Sequence, residues 1–191
     1  FVVPGSEKVA TKAKKEGLPI TCDTAPPYFM LNELSLENYR TFSKLSPPLR
    51  TEEDRNNIIN GILDGTIDVI ASDHTPHDQD AKRLPFNQAE FGGVGLETLL
   101  PMTLNLVKNY NLSLTKAISL ITKKPSEILG LKTGKISPDL EADLIVFDLE
   151  KPWKINSENF HSKSKNSPFD GILVQGKNLM TFVRGRLVYK S

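Results

Sequence analysis

Two of the chain's three histidines fall within six residues, Ser72-Asp73-His74-Thr75-Pro76-His77. The stretch before them, Thr66 to Ala71, is rich in β-branched side chains and reads as a buried parallel strand. Asp73 would then stand at the strand's carboxyl end. In a parallel α/β barrel, side chains at that end face the active site. A carboxylate there can bind a metal, take a proton from metal-bound water, and return it to a leaving group. An aspartate after a strand can equally cap a helix or hold a structural ion pair. His74 reads either as a pointer to a second ligand or as a brace for the strand end. His77 follows a proline that stiffens the turn and could donate a hydrogen bond to a substrate carboxylate or carbonyl.

Phe91-Gly92-Gly93-Val94-Gly95 is a second candidate. Glycines before a helix let backbone N–H groups approach a ligand closely. The segment lacks the Lys-Ser/Thr of a Walker motif, and a tight loop-to-helix turn would use the same residues. Arg50, Lys82 and Arg83 could meet an acidic substrate, although each also reads as a solvated surface charge. Trp153 and the phenylalanines read as core, and His161 as structural.

These residues need a frame. Ser6 reads as the cap of a short helix with Val9, Ala10 and Ala13 inside and Gly17 past its end. Leu18-Pro19-Ile20-Thr21-Cys22 reads as a short buried strand stopped by Pro26-Pro27. Residues 32–50 are irregular. Thr51-Glu52-Glu53-Asp54 starts a helix, with carboxylates where the helix dipole favours them. Ile58, Ile59, Ile62 and Leu63 recur at helical spacing, and Gly65 ends that helix. Residues 78–90 are polar and read as a mobile loop. Gly92 to Gly95 opens a second long helix, Ser113 caps a third, and Pro125 to Gly130 reads as a helical turn. After Gly134 the pattern changes to strands at Asp143–Phe147, Gly171–Gln175 and Leu179–Tyr189, with Gly185 as a turn or bulge.

Composition excludes several classes. The 191 residues are 38% hydrophobic and 25% charged, which is globular. A net charge of +1 gives no large field of one sign, so neither nucleic acid nor an anionic membrane is implied as a partner. Cys22, the single cysteine, excludes an intrachain disulfide and suits a reducing compartment such as the cytoplasm. No apolar run approaches the roughly 20 residues that span a bilayer. Phe1-Val2-Val3-Pro4-Gly5 reads as the exit of a strand that continues something upstream.

Four segments together resemble the class I dihydroorotase family of the amidohydrolase superfamily. They are Cys22-Asp23-Thr24-Ala25-Pro26; Ser46-Pro47-Pro48-Leu49-Arg50 with Asp64-Gly65-Thr66-Ile67-Asp68; Ala71 to His77; and Phe91 to Glu97. Lys165-Asn166-Ser167-Pro168-Phe169 and Val183-Arg184-Gly185-Arg186-Leu187-Val188-Tyr189 are also similar. The likeness covers nearly the whole chain, in order, and corresponds to the C-terminal half of a full-length member.

The resemblance implies an α/β fold. Residues 1–132 would be the C-terminal part of a TIM-like (β/α)8 hydrolase barrel, and 133–191 the C-terminal part of a small β-sandwich. It implies reversible cyclisation of N-carbamoyl-L-aspartate to dihydroorotate, in pyrimidine biosynthesis, by a metal-activated hydroxide. Asp73 matches the strand-8 aspartate, a metal ligand and general acid/base. His77 matches a residue that contacts the substrate carboxylate, and the backbone at Gly92 and Gly93 matches the loop closing over the ring. The cofactor implied is zinc, with its His-x-His pair, strand-4 ligand and strand-5 histidine upstream of Phe1. Tyr28 stands where the family carries a strand-6 histidine ligand, and Ser46 where it carries an asparagine.

Two other functions fit the same residues. One is a non-catalytic relative that scaffolds aspartate transcarbamoylase. The other is a different cyclic amidohydrolase, hydantoinase-like. The expected partners are a small-molecule substrate, aspartate transcarbamoylase as a candidate, and either further copies or the missing N-terminal half. Three barrel strands cannot close a barrel, so residues 1–191 alone are expected to be inactive.

Overall fold

Helix α3 (Glu52–Asp64) shows how local sequence sets the frame. The Thr51 hydroxyl accepts a hydrogen bond from the Asp54 N–H, and the Asp54 carboxylate accepts one from the Thr51 N–H, a reciprocal capping box. Gly65 ends the helix at φ 87°, in the left-handed region that glycine tolerates. Ile58, Ile59 and Ile62 are buried on one face. Burying each such side chain is worth roughly 1.5–3 kcal/mol. The computed structural model describes residues 7–191; the Ser6 cap and the strand exit at Phe1–Gly5 lie outside them.

The elements follow in order: α1 (Glu7–Lys15), β1 (Asp23–Thr24), α2 (Pro26–Met30), α3, β2 (Val69–Ile70), α4 (Gln79–Arg83), α5 (Leu99–Tyr110), α6 (Leu114–Ile121), α7 (Lys123–Ile128), β3 (Leu144–Lys154), β4 (Leu173–Val183) and β5 (Arg186–Lys190). They form two compact units. One runs through Leu99 and adds Ile155–Ile172; the other is Leu100–Lys154 with Leu173–Ser191.

In the first unit β1 and β2 are parallel neighbours, Asp23 opposite Val69 and Thr24 opposite Ile70. Ala71 N–H donates to the Thr24 carbonyl at 2.7 Å, extending the pairing towards Asp73. The Asp68 carboxylate accepts from the Lys14 ammonium (2.5 Å) and the Cys22 N–H (2.8 Å), tying α1 and the start of β1 to the start of β2. The strand expected at Leu18–Cys22 is not there. Regular pairing begins only at Asp23, and Leu18 and Ile20 are 51% and 38% exposed. No described element covers them, so their apolar character does not make a buried strand. Val9 is likewise exposed, while Ala10 is buried as expected.

In the second unit β3, β4 and β5 form an antiparallel sheet in that order. The expected strand Gly171–Gln175 and the first part of the expected strand Leu179–Tyr189 are one continuous strand, β4, and the rest of the latter is β5. Gly176 keeps it continuous. A Cβ there would sit 2.4 Å from Leu104 Cδ1 of α5, so the helix packs directly onto the strand's backbone. Arg184 and Gly185 both have positive φ and join β4 to β5 in a tight hairpin. Trp153 lies half-buried, with its indole N–H donating to the Gly176 carbonyl at 3.0 Å.

Candidate active site

Every residue of the site belongs to the first unit. β2 delivers the chain to Asp73, whose φ is 48°. A left-handed conformation is uncommon outside glycine, and aspartate is among the residues that tolerate it. The neighbouring segment holds it there. His74 pairs with Gly93 in a parallel bridge, and Thr75 N–H donates to the Gly93 carbonyl at 2.8 Å. A Cβ on Gly95 would lie 2.0 Å from the Ser72 carbonyl oxygen, so only glycine permits this approach. Gly95 N–H also donates to His74 Nδ1 at 3.2 Å. That bond puts the proton of a neutral ring on Nε2. His74 therefore braces the strand end rather than offering a second ligand.

Asp73 faces Tyr28, which α2 carries directly after β1. The Tyr28 hydroxyl is buried and donates to the Pro47 carbonyl at 3.0 Å; the Asp73 carboxylate shares the same hydroxyl. A phenol has one proton, so the two acceptors compete for it. Partial burial raises the Asp73 carboxyl above the ordinary carboxylate range; the Tyr28 hydrogen bond opposes this and the Asp23 charge adds to it. Burial and then the Asp73 charge raise the Tyr28 phenol, which keeps it a proton donor.

Structural and catalytic zinc sites take three or four N, S or O ligands from the protein. Among the described residues, no three His, Cys, Asp or Glu side chains gather closely enough to hold a metal ion. Asp73 offers one carboxylate. Tyr28, protonated and engaged with Pro47, does not replace an imidazole. These residues by themselves do not build a zinc centre.

On the other side of Asp73 lies the turn Phe91-Gly92-Gly93. Gly92 has φ 120°, and a Cβ on it would stand 2.6 Å from Thr75 Cγ2. Its N–H donates to the Lys44 carbonyl at 2.9 Å, and its carbonyl accepts from Lys82 Nζ and Asn166 Nδ2 at 2.9 and 3.3 Å. The Gly92 polar groups are thus spent within the protein. The missing side chains make room for Thr75 against Gly92 and for Pro168, 2.9 Å from where a Gly93 Cβ would stand. His77 Nε2 lies 2.8 Å from the Phe91 carbonyl, which brings His77 to the same turn.

Several expectations change. Residues 78–90 are not simply a loop: Asp78 caps α4 through the Ala81 N–H at 2.7 Å. Lys82, on that helix, is 0% exposed, with Nζ on three backbone carbonyls. It is neither a solvated charge nor a cation open to an acidic substrate. Arg50 is exposed and lies 3.9 Å from Asp54; Arg83 is exposed. Two residues escaped sequence reasoning. Asn166 is buried, accepts the Val94 N–H at its carbonyl (3.1 Å), and takes the His77 N–H on Oδ1 (3.4 Å). Lys44, also buried, donates to the Ala89 carbonyl at 2.5 Å. Both lie far along the chain from the turn, and only tertiary structure joins them to it.

The Amidohydrolase family model matches residues 7–188. Curated relatives include a dihydroorotase of Anaplasma phagocytophilum, 50% identical over 96% of this chain, and one of Ehrlichia chaffeensis, 44% identical over 96%. The chain spans 41% of the length of each. Among solved structures, an L-hydantoinase (dihydropyrimidinase) of Arthrobacter aurescens superposes with a TM-score of 0.91 at 31% identity. It covers 100% of this chain, which spans 44% of it. A dihydropyrimidinase of Brevibacillus agri gives 0.91 at 22% identity over 98% of this chain and 43% of its own, which speaks for the fold alone. The fold is that of part of a TIM-barrel hydrolase. This chain belongs to the amidohydrolase family.

Proposed function

We propose that the protein carrying this chain is a dihydroorotase, opening dihydroorotate to N-carbamoyl-L-aspartate and closing it again. The observation that carries this reading is the 50% identity to a curated dihydroorotase across a stretch that includes the whole Asp73 site. In the ring-opening direction water adds its oxygen to the ring carbonyl, the C–N bond breaks, and the nitrogen leaves with a proton. Asp73 takes the proton from the water and returns it to that nitrogen. A carboxyl held above its ordinary range by burial suits a group that must both accept and give a proton. His77 contacts the substrate carboxylate, and Gly92 and Gly93 let the turn close over the ring.

Zinc enters this reading with Asp73 as the one ligand this stretch supplies. Residues 1–132 form barrel and 133–191 contribute to a β-sandwich, the latter supported by the antiparallel sheet β3-β4-β5. Residues 1–191 alone are inactive in this account, because the parallel pair β1 and β2, the only parallel strands among the described residues, cannot close a barrel. No helix among the described residues is long and apolar enough to cross a membrane. We take the protein to be cytoplasmic and to act as an oligomer, with aspartate transcarbamoylase as a candidate partner.

The non-catalytic scaffold is the second reading, and Tyr28 in place of a histidine is the observation that favours it. Dihydroorotate hydrolysis by the full-length protein separates the two. Zinc-free protein that binds aspartate transcarbamoylase and turns over nothing would leave only the scaffold.

A further inference from the structure

We propose that Lys82 is a positioning residue for the reaction at Asp73: its ammonium, sealed among the carbonyls of Lys44, Glu90 and Gly92, fixes the Phe91–Gly93 turn against His77. The inference rests on the proposed function for its kinetic part and on geometry for the rest.

Lys82 Nζ lies 2.7 Å from the Glu90 carbonyl, 2.9 Å from that of Gly92 and 3.4 Å from that of Lys44. An ammonium has three N–H donors and no acceptor, so the three oxygens match its whole capacity. Burying a charge is costly unless it is fully bonded, and Lys82 is 0% exposed. A lysine meant only to pack would not need its charge in this position. Without the Nζ donors, three carbonyl oxygens that converge on one point would be left without their shared partner and the turn would open.

A second lysine reinforces the same turn. Lys44 is 7% exposed, donates to the Ala89 carbonyl, and places its ammonium 4.4 Å from the centre of the Phe91 ring and 5.4 Å from that of Phe86. Its own carbonyl receives both the Gly92 N–H and Lys82 Nζ. The two ammonium groups sit close enough for Lys44 to disfavour the charge on Lys82. Two cations are thus held together, against their repulsion, around one short turn. Lys82 is itself fixed from behind, with the Thr41 hydroxyl donating to its carbonyl at 2.5 Å. From Gly92 the link passes to Phe91, whose carbonyl holds His77 Nε2.

The test uses full-length protein with Lys82→Met and Lys82→Ala. Two readouts are taken: dihydroorotate kinetics, and hydrogen exchange at the Gly92 and Val94 amides. We expect both variants to fold, with exchange at these amides at least tenfold faster and exchange in α3 unchanged. Misplacing a binding loop by about 1 Å costs on the order of 100-fold. The loss should appear mainly in KM, and added methylammonium should restore both readouts in Lys82→Ala by refilling the carbonyl cage. If Lys82→Met fails to fold, Lys82→Ala grown and assayed with methylammonium carries the test. Unchanged exchange and unchanged KM in either folded variant would overturn the proposal, as would Lys82→Ala that methylammonium does not restore. If the wild type itself does not turn over dihydroorotate, the proposed function fails, and the exchange readout still decides the role of Lys82 in holding the turn.

Discussion

The Nε2 atom of His77 lies 2.8 Å from the Phe91 carbonyl oxygen, and this one hydrogen bond limits what the rest of the ring can do. A carbonyl only accepts, so Nε2 carries a proton. Nδ1 is then the ring nitrogen left to meet a substrate carboxylate. His77→Ala should therefore weaken binding of an anionic substrate more than it slows turnover. Hydrogen bonds to charged groups are worth about 1.5–3 kcal/mol, which corresponds to a KM increase of roughly ten- to a hundredfold. Steady-state kinetics checks this; a fall in kcat with KM unmoved would contradict it.

Asp73→Asn should abolish activity without harming the fold. Proton transfer by a positioned group contributes roughly 10²- to 10⁴-fold to the rate. The stability effect has the opposite sign from that of an ordinary surface carboxylate. Because the folded Asp73 binds its proton more tightly than the unfolded one, its favourable contribution at low pH is lost as pH rises through the raised value. At neutral pH the asparagine variant should melt at or above the wild-type temperature, and the difference should shrink towards acid pH. Thermal unfolding across that range measures it.

Tyr28→Phe keeps the buried ring and removes its hydroxyl. The Pro47 carbonyl loses its donor and Asp73 loses a hydrogen bond. We expect a stability loss of about 0.5–1.5 kcal/mol in denaturant unfolding and an Asp73 carboxyl raised further, so the acid limb of the pH–rate profile shifts upward. An unmoved acid limb would mean that Tyr28 does not govern Asp73.

Lys82 gives the stability curve an alkaline feature. Burial, then the neighbouring Lys44, push its ammonium down to about 8 from an ordinary 10.5, with Glu90 opposing. Between those values the unfolded chain holds more protons than the folded one, so the Lys82 contribution to stability rises with pH across that window. Denaturant unfolding of wild type and Lys82→Met at a series of pH values should show the rise only in the wild type.

The parts of this architecture set by neighbouring residues could be read directly from the sequence. Thr51, Asp54 and Gly65 bound α3 through bonds that span at most three residues, and Arg184-Gly185 makes a hairpin turn by local backbone preference. The placement of Asp73 after a strand was legible for the same reason. Residues held by tertiary structure were not. Lys82 looks like any charged residue in a polar stretch until the carbonyls of Lys44, Glu90 and Gly92 surround it. Asn166 meets Gly92 and His77 across some 70 to 90 residues of chain, a distance that no local pattern encodes. Leu18 and Ile20 misled in the other direction, since apolar side chains form a buried strand only where something covers them.

The central claim is that Asp73 handles the proton in the opening of a cyclic dihydropyrimidine ring. Its most direct measurement is the rate of dihydroorotate hydrolysis by zinc-loaded full-length protein, wild type beside Asp73→Asn, with a hydantoin as the competing substrate. The account predicts turnover of dihydroorotate by the wild type, little or none of the hydantoin, and at least about a 100-fold loss in the variant. Equal rates for wild type and Asp73→Asn, or preference for the hydantoin, would contradict it.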